Sequence, residues 1–169
     1  MVGFPPAATG GECGAARGAV ARIYGMMAMD DESSIRDLPK GKRVQFSKTV
    51  SESDVYLFAG ITGDFDPIHL NEEFCKTTPF GRRIAHGALI LGYMSTASTL
   101  IHQGFPRPLV SLGYDRIRLI KPVFIGDTVT VNYEIVDVDI ERSRITANVQ
   151  VVNQHSETVV VANHIQKVL

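Results

Sequence analysis

The chain is predicted to fold as an α+β domain in which one antiparallel sheet covers one long helix. Two stretches carry that prediction. The first begins at Gly87, where Ala88, Leu89, Ile90, Leu91, Gly92, Tyr93 and Met94 form a nearly unbroken apolar run that reaches about His102. A helix that is apolar all round is expected to be buried on all sides. The second is the last 60 or so residues, where apolar and polar residues alternate in the period of a strand. A third observation bounds the answer: 169 residues, 44% of them hydrophobic and 21% charged, fit one packed domain with or without a tail.

The sheet is read from its strands. Val129, Val131, Tyr133 and Ile135 alternate with polar neighbours, as do Ile145, Ala147, Val149 and Val151. Leu109 to Ile120 is extended, and Val159 to Ile165 is a β-branched run. Turn residues separate them at Gly126-Asp127, Glu141-Arg142-Ser143 and Asn153-Gln154-His155. Four such strands at hairpin spacing imply an antiparallel meander. Val44 to Val50 alternates as an earlier strand. Ser53 and Asp54, ahead of Val55, Tyr56, Leu57, Phe58 and Ile61, start a helix that loosens at Gly60 and Gly63. Residues 63 to 70 read as a loop broken by Pro67. Asn71 caps a short helix over Glu72 to Lys76, and Thr77 to Ala85 reads as an irregular lid. Gly104, Pro106 and Pro108 end the long helix.

Residues 1 to 40 are different in kind, rich in Ala and Gly with few large apolar groups. They read as a flexible N-terminal extension to a domain over 41–169. Met26, Met27 and Met29 stand where the domain would begin. Arg17 and Arg22 with few acids before Asp30 fit an organellar transit peptide, and the scarcity of Ser argues against one. The expected location is therefore cytoplasmic, with an organellar matrix as the alternative.

Composition excludes several classes of function. Seventeen Lys and Arg against 18 Asp and Glu leave a net charge of −1, which offers no footprint for nucleic acid or an anionic membrane. No apolar stretch approaches the ~20 residues of a membrane span. Two cysteines, Cys13 and Cys75, make neither a thiolate metal cage nor a disulfide framework.

Chemistry is concentrated in Gly63-Asp64-Phe65-Asp66-Pro67-Ile68-His69. Carboxylate and imidazole are a natural pair for moving protons near neutral pH. His86-Gly87 follows at the mouth of the buried helix, whose first N–H groups have no partner within the helix and favour negative charge. Such a start can hold a carbonyl that becomes an enolate. Ordinary roles compete: turn Asp residues bond their own backbone, and His69 and His86 fit as loop and pre-helix residues. Asp64, Asp66, His69 and His86 are also ligand types for Zn, Mn or Fe, at no familiar spacing.

Several motifs in order carry a resemblance. Ser53-Asp54, a Phe-Ala helix, Gly-Asp-x-Asp-Pro-Ile-His, Ile-Ala-His-Gly and a Lys-Pro-Val-Phe-x-Gly-Asp turn resemble the MaoC-like, (R)-specific enoyl-CoA hydratase family from about Phe46 to the C-terminus. The resemblance implies a hot-dog fold, a sheet wrapped around the helix from Gly87. It implies a homodimer with acyl-CoA thioesters entering along the subunit interface, and no cofactor. It places the catalytic pair on Asp64 and His69, the oxyanion-holding amide on Gly87, and acyl-pocket residues on Ser95 and Ser98, one turn apart on one face. The implied reaction is reversible hydration of a trans-2-enoyl-CoA to an (R)-3-hydroxyacyl-CoA, within fatty acid metabolism. Asp66 departs from the usual Asn and lacks its amide donors, so it stays outside the catalytic set. A hot-dog thioesterase and a non-catalytic acyl-CoA-binding protein are the alternatives, and the Asp64–His69 loop favours the hydratase over both.

Overall fold

In a computed structural model of the chain, residues 35–169 are described. The expected extension lies outside them up to residue 34. Packing begins before residue 41, because Ile35 and Leu38, in and after a 3-10 turn over Ile35–Asp37, are buried in the core.

Five strands form one antiparallel sheet: β1 Arg43–Thr49, β2 Leu109–Leu119, β3 Thr128–Asp139, β4 Arg144–Val152 and β5 Thr158–Val168. Their spatial order is β1-β3-β4-β5-β2. The meander β3-β4-β5 is formed by hairpins, as the alternation requires. Its inward residues are buried: Val129, Val131, Tyr133 and Ile135 on β3, Ile145, Ala147, Val149 and Val151 on β4. Outward residues pair across the strands. Arg43 reaches Glu134 at 2.9 Å, Gln45 reaches Asn132 at 2.7 Å, and Ser47 meets Thr130 at 2.8 Å. Edge strand β2 slips register twice against β5, and its Gly113 and Arg116 have positive φ. Such bulges bend and twist a strand.

Four helices complete the domain: α1 Glu52–Thr62, α2 Pro67–Leu70, α3 Glu72–Cys75 and α4 Gly87–Ile101. The cap of α1 is Ser51, two residues before the expected Ser53. Its hydroxyl takes the Asp54 N–H while the Asp54 carboxylate takes the Ser51 N–H, a reciprocal box that outcompetes the later start. Asn71 caps α3 as expected.

Helix α4 lies against the inner face of the sheet, packing on β1 and β3. Ile90, Tyr93, Met94, Ala97 and Ile101 form its buried stripe at helical spacing. This is the hot-dog arrangement. The helix is not buried all round, however. Ala88, Gly92, Ser95, Thr96 and Thr99 are exposed on the single chain. The apolar run misled because small residues count as apolar or neutral while adding little surface that must be hidden.

Candidate active site

The site forms where α1, α2 and α4 meet. Helix α1 ends at Gly63, whose φ of 78° closes the helix as its N–H bonds to Ala59 O. The chain then turns through Asp64 to Asp66. Asp66 is not idle: its Oδ1 accepts the Ile68 N–H at 3.1 Å and caps α2, with Pro67 in the first turn. Asn would cap as well, so the departure from Asn-Pro to Asp-Pro keeps the local fold. Of the segment expected to be loop, residues 63–66 are so and Pro67–Leu70 form a one-turn helix, and that turn lifts His69 into position.

His69 is buried, and its Nδ1 lies 2.8 Å from Ile84 O. A carbonyl only accepts, so Nδ1 carries the hydrogen and Nε2 is left with a free lone pair. Ile84 returns its own N–H to Ile68 O, fixing the lid segment to α2 from both sides. Ala85 N–H bonds to Val123 O, which sets the direction in which the chain enters α4. Arg83 adds a clamp: its guanidinium meets Glu52 at 2.7 Å and the Tyr56 hydroxyl at 2.7 Å on α1, and Glu72 at 2.9 Å on α3. These pairs are half-exposed and worth at most about 1 kcal/mol each, but together they tie three pieces of the site wall.

His86 is the N-cap residue of α4 without a side-chain cap bond. Its ring lies 3.8 Å, centroid to centroid, from that of His69, and its Nε2 is 3.1 Å from Asp64 O. One ligand atom each from Asp64, His69 and His86 fall within 4.8 Å of one another. That spacing suits one shared water or one cation. Of the four residues considered as metal ligands, Asp66 is spent on the α2 cap.

Gly87 opens α4 beside this group. A Cβ there would stand 2.5 Å from a Leu119 methyl, so any side chain would displace Leu119 from the site wall. Next to His69 and Gly87 is a cavity of about 360 Å³, lined among others by Ile68, Phe80, Ile84 and Leu119. It is a largely apolar compartment, the composition of a small-molecule site, and of the three grouped residues His69 is the one that lines it. A larger open groove of about 980 Å³ lies on the outer face of the sheet, between residues such as Gln45 and Asn148, and contains none of the trio. Ser95 and Ser98 do not line the cavity, which takes Gly87 and Ile90 from α4. Ser95 is exposed, and the buried Ser98 gives its hydroxyl hydrogen to Ser95 O at 2.9 Å.

Sequence reasoning did not reach the carbonyl partners of the two histidines. Their only signal is the pair His69 and His86 flanking an irregular segment.

Among known proteins, a family model described as MaoC like domain matches residues 36–159. An (R)-specific enoyl-CoA hydratase of Rhodospirillum rubrum is 37% identical over 110 residues, 65% of this chain and 74% of that protein. A 3-hydroxybutyryl-CoA dehydratase of Methylorubrum extorquens is 41% identical over 108 residues, 64% of this chain and 67% of that protein. The solved (R)-hydratase from Pseudomonas aeruginosa, in its unliganded form, superposes with a TM-score of 0.70 at 30% identity, over 80% of this chain and 84% of that one.

Proposed function

Because the chain belongs to the MaoC-like family and is a hydro-lyase, we propose that it is an (R)-specific enoyl-CoA hydratase, adding water reversibly to trans-2-enoyl-CoA. The observation that carries this reading is that His69, whose ring is grouped with the Asp64 carboxylate, lines a largely apolar cavity together with Gly87 at the start of α4.

The acyl chain enters the cavity and its thioester oxygen faces the Gly87 N–H. Asp64 and His69 hold one water. As its oxygen bonds to C3, Asp64 takes a proton from it. The C2–C3 π pair moves toward the thioester, and the enolate oxygen develops its charge at Gly87 N–H and the positive end of α4. Asp64 then gives the proton it took from the water to C2, which returns the carbonyl, completes (R)-3-hydroxyacyl-CoA and leaves the carboxylate ionised for the next turnover. No redox change occurs, so the reaction itself calls for no electron carrier.

We further propose that the chain acts as a cytoplasmic homodimer, with CoA entering along the subunit interface. The small-residue face of α4 and the exposed Leu112, Leu119 and Ile120 at the β2 edge support a partner on that side. No described helix is long and apolar enough to cross a membrane. Ser95 and Ser98 serve acyl chains that run along α4 past Ile90. The test is incubation with crotonyl-CoA: loss of the enoyl absorbance without release of free thiol marks a hydratase, and release of thiol marks a thioesterase.

A further inference from the structure

His86 is the one member of the polar trio with no task in that chemistry. It is 1% exposed. Its Nε2 faces the main-chain oxygen of Asp64, 22 residues earlier. A carbonyl accepts only, so Nε2 carries the hydrogen and Nδ1 is a bare acceptor. That Nδ1 is buried without a partner among the described residues. The ring lies on His69 at 3.8 Å and near Phe58 at 4.9 Å. Packing alone would be served by an apolar ring, which leaves no bare nitrogen to bury.

Asp64 needs such support. It follows the left-handed Gly63, its side chain is exposed, and its carboxylate meets only the Asp66 N–H, at 3.4 Å, among the described residues. Among the described residues, the tie on its main-chain oxygen is His86. His69 is pinned at Nδ1 by Ile84 O but needs a surface to set the plane of its ring.

Resting on the hydratase reading, we propose that His86 is a positioning residue of the hydration step. Its Nε2–H fixes the Asp64 main chain and its ring holds the His69 plane, so that the carboxylate and His69 Nε2 meet the same water. The two neighbouring histidines, their rings tilted by 31°, are then opposite tautomers, Nε2–H on His86 and Nδ1–H on His69.

The full chain is compared as wild type, His86→Phe and His86→Gln, with crotonyl-CoA as substrate. Phe keeps the ring and loses the donor, and Gln keeps a donor at similar reach. A displacement of ~1 Å costs about 10²-fold in rate, so His86→Phe is expected to lose about that much in kcat with little change in KM. His86→Gln recovers the part of the loss that follows the donor and not the part that follows the ring. On an Asp64→Asn background, His86→Phe adds nothing further, because both changes disable the same water. Wild-type kcat in His86→Phe, a folded His86→Gln no better than His86→Phe, or additive losses would each overturn the proposal. Nitrogen NMR of the imidazoles in the unmutated protein supplies a test independent of variant folding: a bare Nε2 on His86 or a bare Nδ1 on His69 sinks it. A wild-type chain that leaves every enoyl-CoA untouched instead overturns the hydratase reading itself, before any variant is compared.

Discussion

Asp64 and His69 act on one water in this account, and that sharing has a measurable signature. Asp64→Asn keeps shape but accepts no proton, and should lose about 10²–10⁴-fold in kcat, the range for a lost general base. His69→Ala should fall comparably. The double variant should be little worse than either single one, and additive losses would place the residues in separate steps. The same residues decide between water and a cation. Dialysis against EDTA should leave turnover unchanged; loss of activity restored by Zn or Mn would make Asp64, His69 and His86 a metal site. At this scale the residue types were legible in the sequence and their wiring was not. The cluster of Asp64, Asp66, His69 and His86-Gly87 stood out by type and spacing, and only the family resemblance singled out Asp64, His69 and Gly87 within it. The bonds from His69 to Ile84 O and from His86 to Asp64 O join main-chain atoms 15 and 22 residues away, and no periodicity encodes a carbonyl's direction.

Among the elements, the sheet carries a polar chain, buried except at Ser111, that its β pattern conceals. Ser111 on β2, His164 and Gln166 on β5 and Tyr133 on β3 bond in sequence: His164 Nε2 to Ser111 Oγ at 2.8 Å, His164 Nδ1 to Tyr133 Oη at 2.8 Å, and Tyr133 O–H to Gln166 Oε1 at 3.0 Å. Burial pushes the His164 imidazole down to about 4. The unfolded group titrates near 6.5, so the unfolded state binds the extra proton first as pH falls. The stability tied to neutral His164 is therefore complete above about pH 6.5 and is lost between there and about pH 4, on the order of 3 kcal/mol. Urea melts across that window should show this loss, and His164→Gln should flatten it. A slope unchanged in the variant would assign it to other groups. Helix α4 yields a second expectation. Ser98→Leu adds bulk at a buried position. It should lower kcat/KM for six-carbon or longer enoyl-CoAs while sparing crotonyl-CoA. An unchanged ratio would put Ser98 outside the acyl path, and a parallel fall in both would indicate damaged packing, which overfilling costs at about 1–3 kcal/mol. Strands and long helix were legible because their periods are regular. The one-turn α2 was hidden by Pro67, which reads as a breaker yet is well suited to a first helical turn.

For the whole molecule, one sheet around one helix followed from the run at Gly87 and the alternation after residue 128, and the structure has both. The open face of α4 was not legible, because hydropathy does not separate a residue hidden by its own sheet from a small residue left exposed. The central proposal is that this fold, with Asp64 grouped beside the cavity-lining His69, hydrates an enoyl thioester. The most direct measurement follows crotonyl-CoA with the purified chain, resolving the product by chiral chromatography. Enoyl absorbance is expected to fall, 3-hydroxybutyryl-CoA of the (R) configuration to accumulate, and no free thiol to appear. An (S) product, free CoA, or bound crotonyl-CoA left unchanged would contradict it.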